Sequence, residues 1–308
     1  MNKITTNLQM LAIRAISITM GFVIFSAGWR RFINNPIRHD ITNAGHLSNK
    51  LVAAAPGSPI ESTIHWVLYH PAVSEFSVYA ISTIELVLGL FLMIGLLTRL
   101  SAVGAAILHF SLMLILGWLG HECLDEWTMA ALGFAIAVTI MLTGSGTYSV
   151  DHWLKKDFLA SWFNPPAIQK LLVILSILVT VGFYQYYFNG LGHFKKETPT
   201  GQFRIVAQSI PEHNDQITLY VNAGSSSSPA FVKNITFQLA NGEQVVQQPE
   251  QIQVVRSHFE PWSLGAGKIT DGVMRLTLGS KVDIVIPEGA TSAIVDIIDA
   301  KKDPKISW

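Results

Sequence analysis

One cysteine, one histidine and three carboxylates fall within six residues in the run Gly117-Trp118-Leu119-Gly120-His121-Glu122-Cys123-Leu124-Asp125-Glu126-Trp127. A thiolate is a nucleophile. His121 could lower the Cys123 thiol pKa or shuttle its proton, whereas Glu122, Asp125 and Glu126 would raise it. Trp118 and Trp127 alone would mark a membrane–water interface, and the bland reading is a polar turn holding an inert cysteine. Cys123 is the only cysteine in the chain, which excludes an intramolecular disulfide, a CxxC redox pair and a multi-cysteine metal site.

Two further groups sit in long apolar runs, where a charged side chain costs a few kcal/mol and is a functional candidate by default. Glu85 and His109 lie near the middles of consecutive apolar segments joined by a short turn, so they are expected to meet at similar depth. Such a pair either relays a proton or makes a structural hydrogen bond. Arg14, six residues into the first apolar run, is expected to snorkel to its own side.

Arg30 and Arg31 end that first run. Guanidinium groups suit a divalent oxyanion, but adjacent residues do not share a helix face, so one of the two should point into a site. Arg99, in a basic turn, is a further candidate for substrate contact, as are Trp118, Asp125 and Trp127. His39, His46, His65 and His70 fit no standard zinc spacing, and dispersed histidines are more often polar surface. Arg256, His258 and Trp262 share one loop that could reach down to a membrane site. No P-loop, GxGxxG, HExxH or CxxCH occurs, so no metal, haem or flavin is evident.

Positioning these groups requires a membrane. Half of the 308 residues are hydrophobic and 14% are charged, with zero formal net charge, which sets nucleic-acid binding aside. Leu8–Ala27, Phe76–Leu97, Leu100–Leu119, Trp127–Leu142 and Ala167–Phe188 are about long enough to cross a bilayer. The second and third form an antiparallel hairpin about Thr98–Arg99. Trp29 to Glu75 should form short helices over the membrane face, broken at Pro36, Pro56, Pro59 and Pro71.

Beyond Gly192 the period changes. Phe203–Ile210, Gln216–Asn222, Asn234–Ala240, Gln251–Val255, Val273–Leu278, Val282–Ile286 and Ser292–Ile298 read as strands of an antiparallel β-sandwich. The fold class expected is therefore an α-helical membrane bundle of about five transmembrane helices followed by an all-β sandwich-like domain. By parity of five spans, Cys123, the long first loop and the β-domain share one side. Basic residues near the span ends are almost evenly divided, so charge does not orient the chain. The short N-terminal tail bearing Lys3 reads as a signal anchor that stays inside. This makes the C-terminal domain extracytoplasmic, in a multi-pass protein of the plasma or inner membrane.

Gly21-x-x-x-Phe25-x-x-Gly28-x-x-Arg31, Glu85-Leu86-x-x-Gly89 and Gly95-Leu96-Leu97-Thr98-Arg99-Leu100-Ser101-Ala102 resemble the DoxX/DoxD membrane superfamily. The Gly117–Trp127 run resembles DoxD, the small subunit of thiosulfate:quinone oxidoreductase. The fifth span and β-domain resemble DoxA, its companion subunit. The resemblance implies a fusion: residues 1–165 as a DoxD-like four-helix domain, 166–192 as the fifth transmembrane helix and 193–308 as a DoxA-like domain. It further implies oxidation of two thiosulfates to tetrathionate, with a membrane quinone as electron-accepting substrate. The partners are then thiosulfate, quinone and the lipid bilayer, with room for a homo-oligomer. The rival reading is a non-catalytic membrane binding or assembly protein.

Overall fold

In the computed structural model, residues 3–117, 125–188, 203–224, 228–263, 265–300 and 302–308 are described. The chain divides into two compact units, one of residues 1–36 and 76–195, the other of 37–75 and 196–308. Long helices build the first: α1 (Lys3–Trp29), α4 (Pro71–Ile94, which begins in the second unit), α5 (Thr98–Leu116), α6 (Asp125–Thr143) and α9 (Pro166–Phe188). All five supply stretches long and apolar enough to span a membrane. The short helices α7 (Val150–Trp153) and α8 (Ala160–Phe163) lie between α6 and α9.

Glycine sets how closely α1 and α4 approach. A Cβ on Gly21 would lie 2.7 Å from the Gly89 carbonyl oxygen, and one on Gly28 would lie 2.9 Å from Leu86 Cγ. Backbone therefore meets backbone, as small residues allow where lipid supplies no hydrophobic drive for helices to associate. Residues 21 and 28 on α1, with 31 in the turn that continues it, recur at spacings of seven and three, and residues 82, 85 and 89 at three and four on α4. Each set occupies one helix face.

Distant side chains satisfy the helix ends of this unit. Arg14 is buried and does not snorkel as its position suggested. Its guanidinium donates to the carbonyls of Leu92 and Met93 in the last turn of α4, and to Tyr148 O at 3.0 Å. Those carbonyls lack intrahelical partners and carry the negative end of the helix dipole, so a cation there is doubly favoured. Arg99 repeats the arrangement on α6, donating to Met141 O and Leu142 O, while its Nε lies 2.9 Å from Asp157 Oδ1. Asp151 does the converse, accepting from the Leu97 and Thr98 N–H groups at 2.9 and 2.8 Å at the open start of α5.

The second unit has two antiparallel sheets around one hydrophobic core. In one, β1 (Arg204–Ile210), β2 (His213–Ala223), β8 (Lys281–Val285) and β5 (Val254–Ser257) lie in that order. The other runs β10 (Lys305–Ser307), β9 (Ala290–Ile297), β3 (Ala230–Leu239), β7 (Val273–Leu276) and β6 (Ile269–Thr270), with β4 (Gln244–Gln247) on β3. Six of the seven segments expected as strands fall on β1, β2, β3, β7, β8 and β9, whereas Gln251–Val255 overlaps β5 only at Val254 and Val255 because a 3-10 turn ends at Gln251. The two-residue β6 and three-residue β10 are too short to show a period of two, and β4 is a short strand that pairs with β3.

Five consecutive residues of β2, Ile217 to Val221, are buried. Ile217, Leu219 and Val221 face the core between the sheets, so Thr218 and Tyr220 must be covered on the other face. That cover comes from the segment after the first span, through α2 (Ser48–Ala54) and α3 (Glu61–Tyr69). Tyr220 Oη donates to Glu61 Oε1 at 2.6 Å, and the His65 ring meets Tyr220 edge-on at 5.9 Å. Gly279 sits so close to the Val52 carbonyl that no side chain fits there. Burial and the nearby Lys281 charge depress the His65 pKa from 6.5 to about 4, so His65 packs as a neutral ring.

The seam between α1 and α4 should be intolerant of volume. Gly28→Leu or Gly89→Val is expected to lower the melting temperature of the detergent-solubilised protein sharply, because overpacking a tight contact costs about 1–3 kcal/mol. Gly182→Ala, on a part of α9 where a Cβ meets nothing within 4 Å, should be silent in the same melt.

Candidate functional site

At the end of the α1–α4 seam, one turn beyond Gly28, the Arg31 guanidinium pairs with Glu85 through both nitrogens. Nη2 lies 3.2 Å from Oε1, and Nη1 also reaches Ser82 Oγ at 3.3 Å. The Glu85 side chain is 9% exposed and that of Arg31 20%. A forked pair of this kind is the geometry in which a buried carboxylate is tolerated.

Arg31 lies in a local irregularity of the helix. Residues Arg30–Asn34 form a π-turn that continues α1, with Asn35 N donating to Arg30 O at 2.7 Å. Such turns shift side-chain direction and recur at functional sites. Arg30, its neighbour, is exposed. One of two adjacent arginines therefore points into the helix pair, as helical geometry requires.

The expected meeting of Glu85 with His109 does not occur. Glu85 is turned to α1, while the His109 ring packs on α6, where a side chain at Gly133 would overlap it. His109 Nδ1 is buried with no hydrogen-bond partner among the described residues. The hairpin places the two at comparable depth, but helix rotation sends them to different neighbours.

Trp127 lies at the start of α6 among aromatic residues of α9, its ring centroid 4.9 Å from Tyr184 and 6.4 Å from Phe188. Its Nε1 is buried without a partner among the described residues. Gly117, at the end of α5, abuts Phe183 of α9. Trp118, His121 and Cys123 lie outside the described residues, as does the Asp125 side chain. Arg99 is held at the opposite end of the bundle from Arg31, its guanidinium shared between Asp157 and the α6 carbonyls.

The loop histidines belong to the second unit. His46 is fully buried with its ring 5.4 Å from that of Trp262, His65 stacks on Phe259, and His70 packs against Trp66. His258 is tied to Tyr69 and Asp283. Sequence reading singles out His258, Arg256 and Trp262, but it passes over Tyr69, Tyr220 and Asp283. Five buried residues in succession on β2 mark that face as occupied, and burial is not visible in sequence.

Among the described residues, these features define a multi-pass membrane protein. Its first two long helices close on an Arg–Glu pair whose carboxylate is buried, and it carries a β-sheet unit. The chain belongs to the DoxD family: the family model described as TQO small subunit DoxD matches residues 12–180, from α1 into α9. That membership gives it a membrane role related to thiosulfate:quinone oxidoreductase. No solved structure matches the chain.

Breaking the ion pair from one side should cost more than removing it entirely. Glu85→Ala is expected to destabilise the detergent-solubilised protein by about 3–5 kcal/mol, because an unpaired guanidinium remains. Arg31→Met combined with Glu85→Met should recover most of that loss in a thermal melt. A double variant no more stable than Glu85→Ala would show that the pair does not hold the seam.

Proposed function

We propose that this protein oxidises thiosulfate to tetrathionate and passes the electrons to a membrane quinone. The observation that carries the reading is the DoxD match, which runs across the helical unit. Chemistry supports it. Thiosulfate is a dianion that stays in water and quinone is confined to lipid, so their meeting place must be an interface with cationic groups.

Cys123 is the proposed nucleophile, with His121 managing its proton. In the first half-reaction the thiolate and the terminal sulfur of one thiosulfate form an S–S bond, and two electrons leave to the quinone, which takes two protons to become quinol. In the second, another thiosulfate attacks the outer sulfur of the adduct. Tetrathionate departs and the cysteine thiolate returns. Glu85 and His109 are proposed to serve the protons of quinone reduction, and Arg30, Arg31, Trp118, Asp125 and Trp127 to hold substrate; Arg99, engaged by Asp157 at the other end of the bundle, is left out of that set. Within this reading residues 1–165 are the DoxD-like part, 166–192 the fifth transmembrane helix and 193–308 a fused DoxA-like part.

Purified full-length protein should reduce a short-chain quinone when given thiosulfate, with tetrathionate accumulating. Cys123→Ala and Cys123→Ser should both abolish turnover, since a hydroxyl does not ionise enough to replace a thiol. Near-normal turnover by Cys123→Ala would exclude the adduct. No turnover by folded wild-type protein supplied with quinone would favour a binding or assembly role.

The β-unit is proposed to face the extracytoplasmic side of the plasma or inner membrane. The support is the Lys155–Lys156 link, which suits a cytoplasmic position. A reporter fused after Trp308 should be active only outside the cytoplasm; cytoplasmic activity would reverse the orientation.

A further inference from the structure

The second unit contains a hydrogen-bonded chain that the reading above does not use. Thr218 Oγ1 donates to Asp283 Oδ1 at 2.6 Å, Asp283 Oδ2 lies 2.9 Å from His258 Nε2, and His258 Nδ1 lies 3.1 Å from Tyr69 Oη. A carboxylate can only accept, so Nε2 carries a proton. With its other nitrogen unprotonated, the ring can accept the Tyr69 O–H at Nδ1. This is an orienting carboxylate, a base and a hydroxyl in series. Asp283 and Thr218 are buried, whereas Tyr69 is 43% exposed, so the chain opens outward at the phenol.

Two features suggest that this end receives something. Phe259, directly after His258, is buried with a left-handed φ of +63°. A bulky aromatic residue in that region is strained, and strain concentrates at functional sites. Its ring lies 4.9 Å from that of Tyr69 and holds the phenol in place. Arg256, two residues before His258 and in register with Asp283, is exposed and makes no side-chain hydrogen bond or ion pair among the described residues. Burial raises the Tyr69 pKa above 10.0, with Arg256 pulling it down and Asp283 adding to the rise, so the phenol stays a donor.

We propose that Tyr69 and Arg256 form a binding site for a small oxyanion, and that His258 takes up one proton as the anion binds. The Tyr69 O–H turns from His258 to the anion. His258 Nδ1 must then donate to the phenol oxygen, which requires a second ring proton, and Asp283 stabilises the resulting imidazolium. The charged and titratable groups around this chain are Arg256 on β5, Lys281 and Asp283 on β8, Tyr220 on β2, and Glu61, His65 and Tyr69 on α3. Glu61 is already engaged with Tyr220, and the Lys281 ammonium sits over the Tyr220 ring at 4.8 Å. The sulfur oxyanion as ligand rests on the proposed function.

Isothermal titration of the full-length protein in detergent with thiosulfate, and separately with sulfate, tests this. Two buffers of different ionisation enthalpy report Kd and the protons exchanged. Binding should take up about one proton and weaken as pH rises, by up to about tenfold per unit, the limit for one linked proton. Tyr69→Phe and Arg256→Ala should each weaken binding at least tenfold. His258→Gln should bind without proton uptake. Tyr69→Phe keeps the ring packed on Phe259, and Arg256 is exposed, so neither change removes a buried support. Absence of binding, binding without proton uptake, or unchanged Kd in both variants would overturn the proposal. Turnover measured on the same preparation separates the two readings. Thiosulfate-dependent quinone reduction without this linkage would sink the site alone, and linked binding without turnover would sink the activity alone.

Discussion

The membrane unit depends on how closely α1 can approach α4. Glycine on both helices removes the side chains that would hold the backbones apart, and at that separation the forked pairing of Arg31 with Glu85 becomes geometrically available. Order matters here. An arginine on a longer interhelical distance would reach the carboxylate singly or leave it to water, and a lone carboxylate in an apolar segment is costly. The glycines therefore fix whether Glu85 can exist as a paired carboxylate, and the face that Arg31 shares with Gly21 and Gly28 fixes which arginine supplies the partner.

A similar dependence runs through the second unit. One sheet of the pair carries core residues on one face and polar residues on the other, and the polar face is buried too. Thr218, Tyr220 and Asp283 are tolerated there because each finds a specific partner. The cover comes from residues 37–75, nearly 130 positions earlier than the first described strand. The β-unit is therefore built around a segment that belongs by sequence to the helical half.

Much of the architecture is legible without coordinates. The five spans announce themselves through length and apolarity, and six strands through alternation between turn residues. What resists reading is the choice of partner. Glu85 has His109 across a short hairpin and Arg31 across a longer gap, and only helix rotation decides between them. A signal was nonetheless present, since Gly21, Gly28 and Arg31 share a face, as do Ser82, Glu85 and Gly89. Arg14 looks like a residue reaching for water and Arg99 like a substrate contact, because sequence shows their depth but not the open carbonyls beside them. Tyr69 gives no sign at all, lying at the end of a short helix in a loop whose docking depends on strands far along the chain.

The end clamps have a consequence for biogenesis. Leu97 and Thr98, which open α5, are capped by Asp151, made some fifty residues later, and Arg14 waits still longer for Tyr148. A chain threaded into the bilayer in order of synthesis must therefore carry its first helices with unsatisfied ends until the short stretch after α6 emerges. Completion of the bundle is timed by that stretch, and a ribosome stalled before Tyr148 would leave a set of inserted helices that are present but not yet locked.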